Sequence, residues 1–137
     1  TGILASSQDL DDYYLSEETV IGHVHLSVRD ALAASKRYQK IFDLDDKLTI
    51  PSASWIASGN YHHHLAFNHW AGPKLLKREK NRPGLNYFSI VVQNSILFKA
   101  SLKKAILHSM PILEQSDTYY FMEDEDGLRI KVILEND

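Results

Sequence analysis

The sequence predicts an α+β domain made of two βαβββ units, and three observations predict it. A strand, a helix and three short strands follow one another twice along the chain. The two opening strands lie about 64 residues apart. Each helix is preceded by a residue able to cap it, Asp30 in the first unit and Asn94 in the second. A repeat of this kind sets the architecture, because two such units need a shared surface to bury their apolar faces.

The elements follow in order. Residues 1–19, "TGILASSQDLDDYYLSEET", are acidic and weakly patterned, with "DLDDYYL" able to form at most a short helix, so they read as a connector. Residues 20–137 form the domain, with units at 20–68 and 84–134. "VIGHVHLSV" is rich in Val, Ile and Leu and reads as a strand. In "ALAASKRYQKIF", residues 31–42, Ala31, Ala34, Tyr38, Ile41 and Phe42 fall on one helical face. "KLTI", "SWIAS" and "YHHHLAF" read as short strands, and Gly72, Pro73, Pro83 and Gly84 bracket a loop. "LNYFSIVV" then reads as a strand. The helix 95–107 follows, with Phe98, Leu102, Ala105 and Ile106 on one face. "PIL", "TYYFM" and "LRIKVIL" complete the second unit, with "EDEDG" as a hairpin turn before the last strand.

Composition narrows the function classes. At 137 residues, 44% hydrophobic and 24% charged, the chain fits one globular domain with a core of its own. With no cysteine, disulfides, thiolate metal sites and cysteine nucleophiles are excluded, which suits a reducing cytoplasm. The apolar runs are too short to span a bilayer and no signal-peptide pattern opens the chain, so no membrane role is expected. A formal charge of −3 argues against nucleic-acid binding. The one basic cluster, Lys74, Lys77, Arg78, Lys80 and Arg82, includes Glu79 and reads as a solvated loop.

Three consecutive histidines, His62, His63 and His64, stand in "GNYHHHLAFNHWAG". Read as strand, alternation puts His62 and His64 on one face with Asn60 and Ala66, and His63 on the other with Tyr61, Leu65 and Phe67. On that reading the three cannot share one ion. His23 and His25 also share a strand face, and with His63 they could take up zinc or copper opportunistically, although no carboxylate is in step. Trp55 and Trp70 read as packing residues, and His69 and His108 as surface residues.

These stretches carry a resemblance. "IGHVHLSVRD…RYQKIFDL" resembles the opening of a vicinal oxygen chelate module, the superfamily of glyoxalase I, bleomycin-resistance proteins and extradiol dioxygenases. "SGNYHHHLAFNHWAG" with "PGLNYFSIVV" resembles more closely the second half of bacterial proteins of the catechol 2,3-dioxygenase type. The resemblance covers roughly residues 19–134. It implies the glyoxalase/bleomycin-resistance/dioxygenase fold, a cup-shaped mixed sheet around a divalent metal. In extradiol members that metal is usually iron(II), held by two histidines and a glutamate.

Carried over singly, the first ligand position falls on His23, the second on Tyr87 in "GLNYF" and the third on Lys131 in "GLRIK". Two of the three ligands are thus replaced, and Lys131 places a cation where an anionic oxygen is needed. His63 corresponds to the acid–base histidine of the ring-cleaving members. A substrate-orienting tyrosine falls near Phe121, with Tyr119 two residues away.

Three readings follow. The chain is a metal-free member that binds a small aromatic or other partly apolar ligand in the cup; or it is an extradiol ring-cleaving dioxygenase with an unorthodox metal site, using iron(II) or another divalent metal; or it is the structural half of a longer protein. No cofactor is expected on the first and third readings, and another domain of the same chain, or a second copy, is the expected protein partner.

Overall fold

The computed structural model describes residues 14–136. The stretch "DLDDYYL", read as able to form at most a short helix within the connector, lies mostly outside the described residues. Residues 14–19 carry neither helix nor strand and are exposed.

The order of elements is the expected one. β1 (Val24–Ser27), α1 (Ala31–Phe42), β2 (Asp45–Ile50), β3 (Ala53–Ala57) and β4 (Leu65–Asn68) form the first unit. β5 (Phe88–Val92), α2 (Ser95–Leu107), β6 (Ile112–Gln115), β7 (Tyr119–Glu123) and β8 (Arg129–Leu134) form the second. Each unit makes one four-stranded sheet, ordered β1-β4-β3-β2 and β5-β8-β7-β6. The strand orders are the same, the opening strand pairs in parallel with the last in both, and the other pairs are antiparallel. Both units also carry an irregularity in the second strand of the unit, between Asp46 and Leu48 and between Ile112 and Glu114.

Local chemistry explains where the helices begin. Asp30 and Asn94 have extended backbones, and their side chains accept hydrogen bonds from Ala33 N–H at 3.0 Å and Leu97 N–H at 2.9 Å. α1 ends at Asp43, whose left-handed backbone stops the helix and lets its N–H reach the carbonyl of Gln39. Ala31, Ala34, Ser35, Tyr38 and Ile41 are buried, as the helical spacing requires. In α2 the buried face is Phe98, Ser101 and Ala105. Ile106, expected on that face, is 58% exposed, and so does not contribute to the core.

One core runs through both units. Leu26, Leu65 and Phe67 of the first sheet face α1, and Phe88, Ile130 and Val132 of the second join the same cluster. The acidic turn "EDEDG" fastens the units together. Tyr38 Oη on α1 donates to Asp124 Oδ2 at 2.8 Å, and Asp124 Oδ1 accepts from the N–H groups of Asp126 and Leu128. Arg29 pairs with Asp126 at 3.1 Å and Arg37 with Glu125 at 3.0 Å. Arg78, from the basic loop, donates its backbone N–H to the Asp126 carbonyl. Within the second unit, Tyr120 Oη donates to Ser101 Oγ. Among the described residues no buried side-chain polar atom lacks a partner.

Candidate functional site

Strand β1 begins at Val24, later than the sequence suggested, and Val20 and Ile21 are each 83% exposed. β4 begins only at Leu65, so the histidine run is not part of a strand. Gly59, with a left-handed φ of 62°, turns the chain after β3, and residues 61–64 run through a bend. Backbone bonds from His64 N–H to Ile56 and from Val24 N–H to His64 then feed the chain into β4.

The bend overturns the alternation expected for the run. Leu65 and Phe67 face α1 in the core, yet His63, expected beside them, lies on the other side of the sheet with His25. Its Nε2 is 3.1 Å from His25 Nε2, so one of the two nitrogens donates to the other. His62, expected to point away, joins the same group. Ring centroids lie 4.6 Å apart for His62 and His63, 4.4 Å for His23 and His63, and 6.0 Å for His23 and His62. One potential ligand nitrogen each from His23, His62 and His63 lies within 4.8 Å of the other two. The sequence reading separated His62 from His63, and the structure brings them together.

Tyr61 holds the bend in place. Its hydroxyl donates to the Gly22 carbonyl at 2.8 Å, fastening the histidine run to the residue before His23. Its ring stacks on His64 at 4.4 Å. His64 takes a different role from its neighbours, because its Nδ1 accepts from Ser58 N–H. Partial burial lowers the pKa of His64, and the charge of His62 adds to the effect. His63 is lowered from its ordinary 6.5, first by desolvation and then by repulsion from His23, His62, His25 and His64. Neutral imidazole, with a lone pair to offer, is the favoured form of His63 near neutrality.

The second sheet holds the other residues singled out in the sequence. Phe88 pairs with Ile130 and Ser89 with Lys131, which places Lys131 on the face away from α2. Phe121 is its partner across the β7–β8 pair. Lys131 Nζ lies 4.9 Å from the Tyr119 ring centroid and 5.6 Å from that of Phe121. Tyr87, 41% exposed, meets Phe121 edge to face at 5.2 Å. Tyr119 donates its hydroxyl to Glu114 at 2.6 Å, and this bond raises its pKa.

The two opening strands register alike. Val24 pairs with Leu65 and Phe88 with Ile130, so His23 and Tyr87 are the residues just before corresponding positions of the two units. His63 and Tyr87 make no hydrogen bond to each other among the described residues. His63 is engaged by His25 instead, and Tyr87 packs on Phe121.

Two further residues differ from their sequence reading, and a groove supplements it. His69, expected to be a plain surface residue, is half-buried, and its Nδ1 accepts the Ala31 N–H at the start of α1. It satisfies a helix N-terminal donor that Asp30 leaves free. Trp70 is 65% exposed, with its indole N–H on Ser52 Oγ. A groove of about 630 Å³ lies between the units, lined by Phe42, Leu44, Ile90 and Leu97 among others. It opens beside His23 and His64 and does not include Lys131.

Comparisons with known proteins agree with this architecture. No protein-family model matches the chain. A catechol-2,3-dioxygenase of Bacillus subtilis (strain 168) is 34% identical over 93 residues, 66% of this chain and 33% of that protein. The chain therefore spans about a third of the length of the curated relative it matches. A glyoxalase/dioxygenase from Nostoc punctiforme superposes with a TM-score of 0.68 at 16% identity, covering 91% of this chain and 98% of that one. A putative glyoxalase from Bacillus halodurans gives 0.68 at 13% identity, covering 86% and 97%. A glyoxylase/bleomycin resistance protein/dioxygenase domain from Frankia sp. EAN1pec gives 0.63 at 16%, covering 86% and 98%. At these identities the solved structures establish the fold, and the sequence match adds a catechol-2,3-dioxygenase homologue. The chain has the glyoxalase/bleomycin-resistance/dioxygenase fold, and part of it is similar in sequence to a catechol-2,3-dioxygenase.

Proposed function

We propose that this chain is a superfamily domain that does not assemble the iron-binding triad of extradiol dioxygenases and instead binds a small, partly aromatic anion on its second sheet. The observation that carries this reading is Lys131, whose ammonium lies over Tyr119 and Phe121 beside Tyr87. In the register that the resemblance implies, Tyr87 and Lys131 occupy the second and third ligand positions. An ammonium repels a dication and has no lone pair to offer while protonated, so this residue set does not fit iron(II) of the family type. The same ammonium, flanked by rings, suits a carboxylate or phenolate attached to a flat apolar body. Without iron to bind and activate oxygen, His63 has no oxygen intermediate to exchange protons with.

A titration with benzoate tests the ligand class, read by proton NMR of the tyrosine and phenylalanine rings. Saturable shifts at Tyr119 and Phe121, lost in Lys131→Ala, are the expected result. Absence of saturable binding would sink the proposal.

The B. subtilis relative's name favours a second reading, in which this chain is part of a ring-cleaving enzyme. Catechol turnover after anaerobic loading with iron(II), abolished by His63→Ala, would establish that reading. The expected rate is background, with or without His63.

A further inference from the structure

We infer that His23, His62 and His63 form a binding site for a borderline divalent ion of the zinc class. This goes beyond the proposed function, because it uses neither Lys131 nor Tyr87 and needs no oxygen chemistry.

The donor set comes first. Three imidazoles from two chain segments converge, with one nitrogen of each within 4.8 Å of the other two. A tetrahedral zinc with bonds of about 2.0–2.1 Å needs its nitrogen ligands roughly 3.3–3.4 Å apart. Closing that gap takes small side-chain rotations. His23 and His62 are exposed and His63 is half-buried, so the core does not resist the movement. Among the described residues no carboxylate or thiolate joins the group, and a set made only of imidazoles favours zinc or copper over magnesium, calcium or manganese.

Preorganisation is the second argument. The Tyr61–Gly22 hydrogen bond ties the bend that carries His62 and His63 to the segment that carries His23. His25 supplies an outer contact, with its Nε2 3.1 Å from His63 Nε2. When His63 donates Nε2–H to His25, the lone pair of its Nδ1 is left for the metal. Outer partners of this kind fix the tautomer and orientation of a ligating histidine. Three protein ligands and exposure to solvent also leave a coordination position for water or an anion.

The test is calorimetric titration of the whole chain with zinc chloride, alongside the single variants His23→Ala, His62→Ala, His63→Ala, His25→Ala, Tyr87→Phe and His108→Ala. Circular dichroism checks that each variant is folded. One zinc per chain is expected, with affinity reduced roughly a hundredfold by each of the first three changes. His25→Ala should cost about tenfold, as the loss of an outer partner does. Tyr87→Phe and His108→Ala should bind as the parent does. Lack of zinc binding, or losses at His23, His62 and His63 no greater than at His108, would overturn the site. A loss at Tyr87→Phe equal to that at His23→Ala would also overturn it, because the metal would then sit elsewhere.

Discussion

Tyr38 shows how one side chain can carry the join between the two units. Its ring packs on Phe67 at 4.9 Å, and its hydroxyl, fully buried, donates to Asp124 in the other unit. Tyr38→Phe keeps the ring and leaves a buried carboxylate oxygen without its donor. Chemical denaturation should show a loss of about 1–3 kcal/mol. Asp124 adds a pH signature. Burial raises its carboxyl above the ordinary 3.8, while the bonds from Tyr38, Leu128 and Asp126 oppose the shift. Between 3.8 and the raised value the native chain keeps a proton that the unfolded chain has released. This group's contribution is therefore complete below the unfolded value and is lost as pH rises through the folded one. Melts across that acidic window should show the slope in the parent chain and a flatter one in Asp124→Asn, and equal slopes would count against the assignment. None of this was legible in the sequence, where "EDEDG" announced a turn but not what the turn would touch.

At the scale of elements, the helices were the most readable part. Asp30 and Asn94 precede apolar residues at helical spacing, and both capping bonds form. Asp30→Ala should cost about 1 kcal/mol in a thermal or urea melt, softened because His69 still holds the Ala31 N–H. Strands were legible in kind but not in extent. Extending the alternation of β4 upstream puts the histidine run in the strand, although "SGN" just before it signals a turn. The bend after Gly59 breaks the period of two, and one broken step is enough to move His63 to the opposite face. His69 is not legible as a helix cap, because a histidine in that role has no sequence signature of its own. The turn at Gly127 leaves no room for a side chain. Its φ is +78°, and an added Cβ would stand 2.7 Å from the Arg78 carbonyl. Gly127→Ala should destabilise the domain by more than the roughly 1–2 kcal/mol of left-handed strain alone, because the basic loop must shift as well.

For the whole molecule, the repeat visible in the sequence became two sheets of the same strand order sharing one core. Local caps and periodicities that agree with the overall fold make such an architecture readable. A site is less readable, because it depends on where separate segments meet. The sequence named His23, His63, Tyr87 and Lys131 one at a time. The structure sorts them into a histidine group on the first unit and a cation–aromatic group on the second. We propose that the glyoxalase/bleomycin-resistance/dioxygenase fold is kept here while Tyr87 and Lys131 stand where iron ligands would be. Iron analysis after anaerobic loading and desalting tests it most directly, comparing the parent chain with the double variant Tyr87→His, Lys131→Glu. The parent should retain well under one iron per chain, and the double variant should retain substantially more. One tightly held iron in the parent, with no gain in the variant, would contradict the account.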